Sequence, residues 1–253
     1  MKTKLTNLQI PILSESVEEQ IDNAIESFLH RGQWKEWGMD RLREQGAALL
    51  LHGPSGTGKT ITAYWIGRKL HLKVVEISMA DYGSDEPGEL ARNIKRIFTA
   101  EQVLASQERR HLPILFLDEC DAMLVSRKKL GSDMIWMLEP INALLSEIGK
   151  YPGLVILATN IVSFLDEALE RRLLAKILFE RPDTGVRYKI WKSKWPEKYP
   201  CQPTERELQI LALADLSGAQ IENCLILWTG RCMRRKEQPV VSNLIGWIKE
   251  YIG

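Results

Sequence analysis

The eight residues Gly53-Pro54-Ser55-Gly56-Thr57-Gly58-Lys59-Thr60 constrain this chain more than any other stretch. They match the spacing G-x-x-x-x-G-K-[ST] in full, and their surroundings match too. AALLLHG (47–53) leads in as a short apolar run ending in glycine, which reads as a buried strand. A helical stretch from about Lys59 to Leu70 leads out. Strand, glycine-rich turn and helix in that order make a phosphate cradle. The glycines let backbone N–H groups turn inward around phosphate oxygens, and the helix N-terminus adds partial positive charge. Lys59 supplies a mobile cation for β- and γ-phosphates, and the Thr60 hydroxyl suits a Mg²⁺ ligand. An ordinary strand–helix turn needs one or two glycines, not three with Lys-Thr at fixed offsets. Gly53 to Thr60, with Ile61 behind them, are therefore the expected nucleotide-binding residues.

The pattern then repeats. KVVEIS (73–78), PILFLDE (113–119) and LVILATN (154–160) read as further strands, and KILFE (176–180) as a fifth. Helical stretches separate them, one carrying Leu90, Ile94, Ile97 and Phe98 and another reading MIWMLEPINALLSEIG. Strands that are apolar throughout and alternate with helices imply a parallel sheet covered on both faces. Earlier, Ser16 and Glu19 have capping-box spacing, and Val17, Ile21, Ala24, Ile25 and Phe28 recur at helical intervals. Beyond Pro182 the alternation stops, and 204–214, 218–235 and 240–252 read as helices. The fold expected is α/β, with a five-stranded parallel core over 1–182 and a small helical domain over 183–253.

Several polar residues fall at strand ends, where chemistry on a bound phosphate needs them. Asp118 and Glu119 end the third strand after Ile114 to Leu117. A carboxylate beside the phosphate loop can bind Mg²⁺, and the next residue, aimed elsewhere, suits a general base that polarises water. Asp121 continues the run and reads as structural or supporting. Asn160 ends the fourth strand, where it can orient water or sense a γ-phosphate, although a turn or cap asparagine is a common plain reading. Arg171 and Arg172 in LDEALERRLL read either as a solvated helix face or as an arginine finger reaching a neighbour's phosphate.

Charge and cysteine usage narrow the partners. Lys and Arg total 34 against 33 Asp and Glu, a net charge of +1, so bulk charge points to no polyanion. The four cysteines include no C-x-x-C pair and show no zinc spacing with histidine. The longest apolar runs are too short to span a bilayer, and no signal-peptide core opens the sequence. The expectation is a soluble, cytoplasmic protein with reduced thiols and no membrane partner. The basic stretch Ser126-Arg127-Lys128-Lys129-Leu130-Gly131-Ser132 reads as a solvated turn in preference to a phosphate-backbone contact. Arg231, Arg234, Arg235 and Lys236 sit at a helix C-terminus, where they complement the dipole.

Taken together, GPSGTGKT, ILFLDECD, VILATN and LDEALERR resemble, in this order, an AAA+ ATPase of the classical AAA clade, which holds the proteasomal ATPases and protein-unfolding segregases. The stretch from ATN to ERR is similar to the clade's second region of homology. LSGAQIEN (216–223) is similar to its lid motif, and ESVEEQIDNAIESFL followed by WGM to its approach to the phosphate loop. The resemblance spans roughly residues 12 to 235. It implies a helical lid from about 183 and a homo-oligomeric ring, usually of six, with ATP and Mg²⁺ at the subunit interface. It further implies that Lys59 and Thr60 bind phosphate and Mg²⁺, Asp118 binds Mg²⁺, Glu119 activates water and Asn160 senses the γ-phosphate. Arg171 and Arg172 align with the arginine-finger pair, and Gly218 and Ala219 face the adenosine. One stretch departs from the pattern. The substrate-gripping loop carries an aromatic where this chain reads Asp85-Glu86-Pro87-Gly88-Glu89, with Tyr82-Gly83 out of register. The function expected is ATP hydrolysis coupled to remodelling a protein or assembly, through an unidentified substrate or adaptor. A DNA-acting, helicase-loader-like ATPase is the alternative.

Overall fold

The computed structural model describes residues 10–39, 47–78, 88–108, 111–121, 138–160 and 167–252. The stretches at Tyr82–Pro87 and Ser126–Ser132 lie outside them. The described residues divide into two units. The first takes in Ser16–Gly53 and Lys59–Phe179. The second takes in Ile12–Glu15, Pro54–Gly58 and Glu180–Gly253.

In the first unit, five parallel strands form one sheet in the order β2-β3-β4-β1-β5. They are β1 (Ala47–His52), β2 (Val74–Ser78), β3 (Ile114–Asp118), β4 (Leu154–Thr159) and β5 (Leu173–Leu178). β1 and β4 are buried at every position, as AALLLH and LVILAT require of strands covered on both faces. The helices are α1 (Glu15–Leu29), α2 (Arg31–Glu36), α3 (Lys59–Lys69), α4 (Glu89–Gln107), α5 (Leu138–Lys150) and the single turn α6 (Glu167–Glu170). α4 and α5 bury Ile94, Phe98, Leu144 and Ile148 against Leu115 and Leu157 of the sheet. Of the stripe predicted on α1, Ile21, Ala24, Ile25 and Phe28 are buried and Val17, in the first turn, is half-buried.

β5 starts three residues earlier than its sequence suggests. Only Ile177 along it is buried. It pairs on one side with β1 alone and closes the sheet's edge, so the sequence LLAKIL does not read as a fully apolar core strand.

The second unit is helical: α7 (Thr184–Lys194), α8 (Glu205–Ala212), α9 (Gly218–Arg235) and α10 (Val241–Ile252). α7 is absent from the sequence-based expectation. Its residues TGVRYKIWKSK place only Arg187, Ile190 and Trp191 inside, so no clean apolar stripe marks it. A local signal was present. Asp183 caps it, accepting a hydrogen bond from the Val186 N–H at 2.8 Å. α8 and α9 each begin with a complete capping box, Thr204 with Glu207 and Ser217 with Gln220. Trp191, Leu208, Leu211, Ile221, Leu225 and Trp228 form the core of this unit. Among the described residues no helix is long and apolar enough to cross a membrane.

Candidate functional site

The carboxyl ends of β1, β3 and β4 converge, and every polar residue picked out at a strand end stands there. Ligands of parallel α/β sheets bind outside such ends. β1 stops at His52, and the chain turns at Gly53 with φ 136°. The Gly53 N–H donates to the Thr159 carbonyl at 3.2 Å, and the Phe179 N–H donates to the His52 carbonyl at 2.7 Å. A Cβ on Gly53 would stand 2.1 Å from the Phe179 oxygen, so only glycine fits between the strand ends. From Pro54 the loop closes on itself, the Thr57 hydroxyl donating to the Pro54 carbonyl at 2.9 Å. Ser55 is exposed, and Gly56 and Gly58 also have positive φ.

α3 begins at Lys59, whose side chain is buried and folds back over the turn. Its ammonium donates to the Gly53 carbonyl at 2.7 Å and to Asn160 Oδ1 at 2.9 Å. Burial holds the Lys59 pKa below its ordinary value, against the opposing pull of Asp118 and Asp121. The cation therefore stands poised, partly desolvated and near two carboxylates, where an anionic ligand would strengthen its charged form. Ile61, the third residue of the helix, is half-buried.

The Thr60 hydroxyl donates to Asp118 Oδ2 at 2.8 Å, and the Glu119 N–H donates to Asp118 Oδ1 at 2.9 Å. Two neighbouring ligands of an octahedral Mg²⁺, each about 2.0–2.1 Å from the metal, stand about 2.8–3.0 Å apart. The Thr60 and Asp118 oxygens have that spacing and are hard donors, so this pair fits Mg²⁺. No cluster of three or more His, Cys, Asp or Glu suited to a metal occurs among the described residues. Two protein oxygens, with phosphate and water completing the shell, are the ordinary arrangement for Mg²⁺.

The strand alternation expected to aim Glu119 away from Asp118 does not reach it. β3 has already ended, and Glu119 adopts φ 53°, in the left-handed region. A non-glycine residue there carries strain that functional sites tolerate. Its carboxylate is exposed. Behind it, the Cys120 N–H and Sγ both point to the Ala158 carbonyl, at 3.2 and 3.1 Å, tying the turn to β4. Asp121 accepts the Asn160 N–H at 2.9 Å and the Thr159 hydroxyl. It supports Asn160, as its supporting reading anticipates.

The arginine pair does not lie on a helix. α6 ends at Glu170, and both residues occupy the turn into β5. Arg171 is exposed. Arg172 is half-buried, and its guanidinium donates to the Ala168 carbonyl at 2.7 Å. In the second unit, Gly218 and Ala219 open α9, and the Ala219 N–H donates to the Gly56 carbonyl at 3.3 Å.

Two residues escaped the sequence reading. His52, directly before the turn, is 5% exposed, and its Nδ1 finds no hydrogen-bond partner among the described residues. Burial pushes its pKa down, with Lys176 and Lys59 adding to the effect. Nothing in the apolar run AALLLH marks it as special. Ser217 caps α9 and packs beside Gly56, and its S-x-x-Q spacing with Gln220 was readable.

Residues 49–181 match the model of the family described as "ATPase family associated with various cellular activities (AAA)". The chain is 32% identical over 205 residues to the proteasome-associated ATPase of Mycolicibacterium smegmatis, covering 72% of this chain and 32% of that protein. It is 30% identical over 220 residues to the 26S proteasome regulatory subunit 4 homolog of Schizosaccharomyces pombe, covering 82% and 46%. The chain thus spans less than half the length of these curated relatives. Among solved structures, one chain of the E. coli MS115-1 HORMA:CdnC:Trip13 complex superimposes with a TM-score of 0.73 at 18% identity, covering 94% of this chain and 89% of that one. At that identity the likeness speaks for the fold.

Proposed function

We propose that this chain, which belongs to the AAA family of ATPases, hydrolyses ATP with Mg²⁺ in a homo-oligomeric ring, coupling turnover to the remodelling of a protein or protein assembly. The observation that carries the reading is the convergence at the strand ends. Lys59 bridges the phosphate turn to Asn160, while Thr60 and Asp118 sit at Mg²⁺-ligand spacing with Glu119 exposed alongside. Gly53 to Thr60 would hold the phosphates. Mg²⁺ bound by Thr60 and Asp118 would neutralise phosphate charge. Glu119 would take the proton of the attacking water, and Asn160 would hold the γ-phosphate side of the site. Residues 1–182 would form the nucleotide-binding domain and 183–253 its lid, with Gly218 and Ala219 toward the adenosine.

Of the arginine pair, Arg171, which is exposed, would reach the neighbouring subunit, and Arg172, bonded to the Ala168 carbonyl, would hold the turn that carries it. The acidic stretch at Asp85 and Glu86 argues for remodelling without an aromatic threading grip. Relatives named as proteasomal ATPases support a protein target over DNA, and the protein is read as cytoplasmic. The test is assembly and turnover together. Light scattering of the Glu119→Gln chain should give a larger species with ATP and Mg²⁺ than without, because a nucleotide bridging two subunits stabilises the ring by mass action. A strict monomer under saturating ATP would overturn the ring. ATPase activity stimulated by single-stranded DNA would move the target to nucleic acid.

A further inference from the structure

We propose that Arg187 is a positioning residue for ATP binding, acting through the loop after α8 on the helix start that holds the Gly56 carbonyl. The inference rests on reading 53–60 as the nucleotide site. All the contacts involved lie in the second unit, to which Pro54–Gly58 belong.

Arg187 is 8% exposed and spends its donors in four directions. Its Nε donates to the Ala212 carbonyl at 2.7 Å. Nη1 donates to the Pro182 carbonyl at 2.6 Å and to Asp215 Oδ1 at 3.2 Å, and Nη2 to the Thr184 hydroxyl at 3.2 Å. One guanidinium thus joins the chain entering α7, the end of α8 and the loop that follows. Arg181 closes the clamp from outside, donating to the Asp215 carbonyl at 3.3 Å and to Oδ2 at 3.2 Å.

Asp215, the clamp's last member, stands four residues before Ala219, which holds the phosphate loop. After Asp215 comes Leu216, 1% exposed, its N–H donating to the Ala214 carbonyl at 2.9 Å. Next is Ser217, the buried cap of α9, and then Gly218 and Ala219, whose N–H holds the Gly56 carbonyl. The link between the clamp and that hydrogen bond is short and is anchored at its middle by buried Leu216 and Ser217. The seat is tight as well. A Cβ on Gly56 would meet Ser217 Oγ at 2.8 Å and the Ala219 Cβ at 3.0 Å. Wherever the clamp sets the start of α9, the loop apex must follow. A core that needed only packing would accept an apolar side chain at this position, since a buried charge is a poor way to gain stability. A planar fork serves when several chain segments must be held in one geometry.

Arg187→Met keeps the stem and removes every donor. The KM for ATP should rise about tenfold while kcat stays within about threefold, because the residues of the chemical step lie elsewhere. Equilibrium titration with a fluorescent ATP analogue should show the same loss. Ala219→Pro tests the link at its far end and guards against misfolding of the first variant. It removes the N–H that donates to the Gly56 carbonyl, which in the first turn has no partner inside the helix. The chain carrying both substitutions should lose no more affinity than the worse single variant, since both act through one contact. Unchanged affinity in a folded Arg187→Met chain overturns the proposal, as do a fall in kcat alone and losses that add in the double variant. Lys59→Ala is the control. If it too binds ATP normally, the nucleotide-site reading fails first, and the failure is then distinguishable from that of the clamp.

Discussion

Replacing Gly53 with alanine should damage the fold itself. At φ 136° an L-residue carries backbone strain of about 1–3 kcal/mol. The new methyl would stand 2.1 Å from the Phe179 oxygen and 2.9 Å from its carbonyl carbon. Those are backbone atoms and cannot swing aside as a side chain would. Moving Phe179 stretches its hydrogen bond to the His52 carbonyl, the last link between the ends of β1 and β5. Overpacking of that kind costs about 1–3 kcal/mol more. The combined loss, about 2–6 kcal/mol, should lower the melting temperature by roughly 4–24 °C at the usual 2–4 °C per kcal/mol for this size. Thermal unfolding followed by far-UV circular dichroism measures it. Gly56→Ala provides the contrast inside the same loop. Its methyl meets the side-chain atoms Ser217 Oγ and Ala219 Cβ, so the melting temperature should fall by less while ATP affinity drops. Gly32→Ala, with nothing within 4 Å of the added methyl, should leave stability level or raise it by up to about 1 kcal/mol. A Gly53→Ala chain melting within about 3 °C of the parent would refute the steric argument.

Three further outcomes are expected. Glu119→Gln should bind ATP normally and turn it over about 10²-fold more slowly or worse, the usual scale for a lost general base; a parental rate in a coupled ATPase assay would remove Glu119 from that role. His52 should make the fold acid-sensitive. The unfolded chain takes up a proton there as pH falls through about 6.5, whereas the buried ring resists it, so stability is level above that pH and falls below it. His52→Phe should flatten the slope of urea stability between pH 7 and 5, and an unaltered slope would assign the effect to another group. Arg171→Ala and Arg172→Ala chains, each mixed with Lys59→Ala chains, test action in trans. Activity should return for the arginine that crosses to its neighbour, and absence of recovery from both, with subunit exchange shown, would place the finger in cis.

What could be read from the sequence follows from how each part is held. Strands β1, β3 and β4 are buried on both faces, so their composition alone announces them. The edge strand β5 and the helix α7 answer to neighbours that a local pattern does not contain: β5 leans on β1 along one side, and α7 is specified by its Asp183 cap and the buried Arg187. At the candidate site, spacing picked out Lys59, Thr60, Asp118 and Asn160, and the structure brings them together, because a phosphate turn and strand ends are fixed in chain position. It could not supply the turn geometry at Glu119 or the location of Arg171 and Arg172 beyond α6. Those depend on where a strand or helix stops, which hydrogen bonds such as that from the Arg172 N–H to the Leu169 carbonyl decide.

The left-handed backbone at Glu119 sets two selective pressures against each other at a single codon. Glycine would occupy φ 53° without the roughly 1–2 kcal/mol that a side chain costs there. A one-base change converts a glutamate codon to a glycine codon. A mutant library screened only for heat resistance would therefore be drawn toward glycine at 119, and on the proposed role of Glu119 its winners would be sturdier and inert. Thermostabilising campaigns on this chain should hold position 119 fixed, or screen every round for ATP turnover.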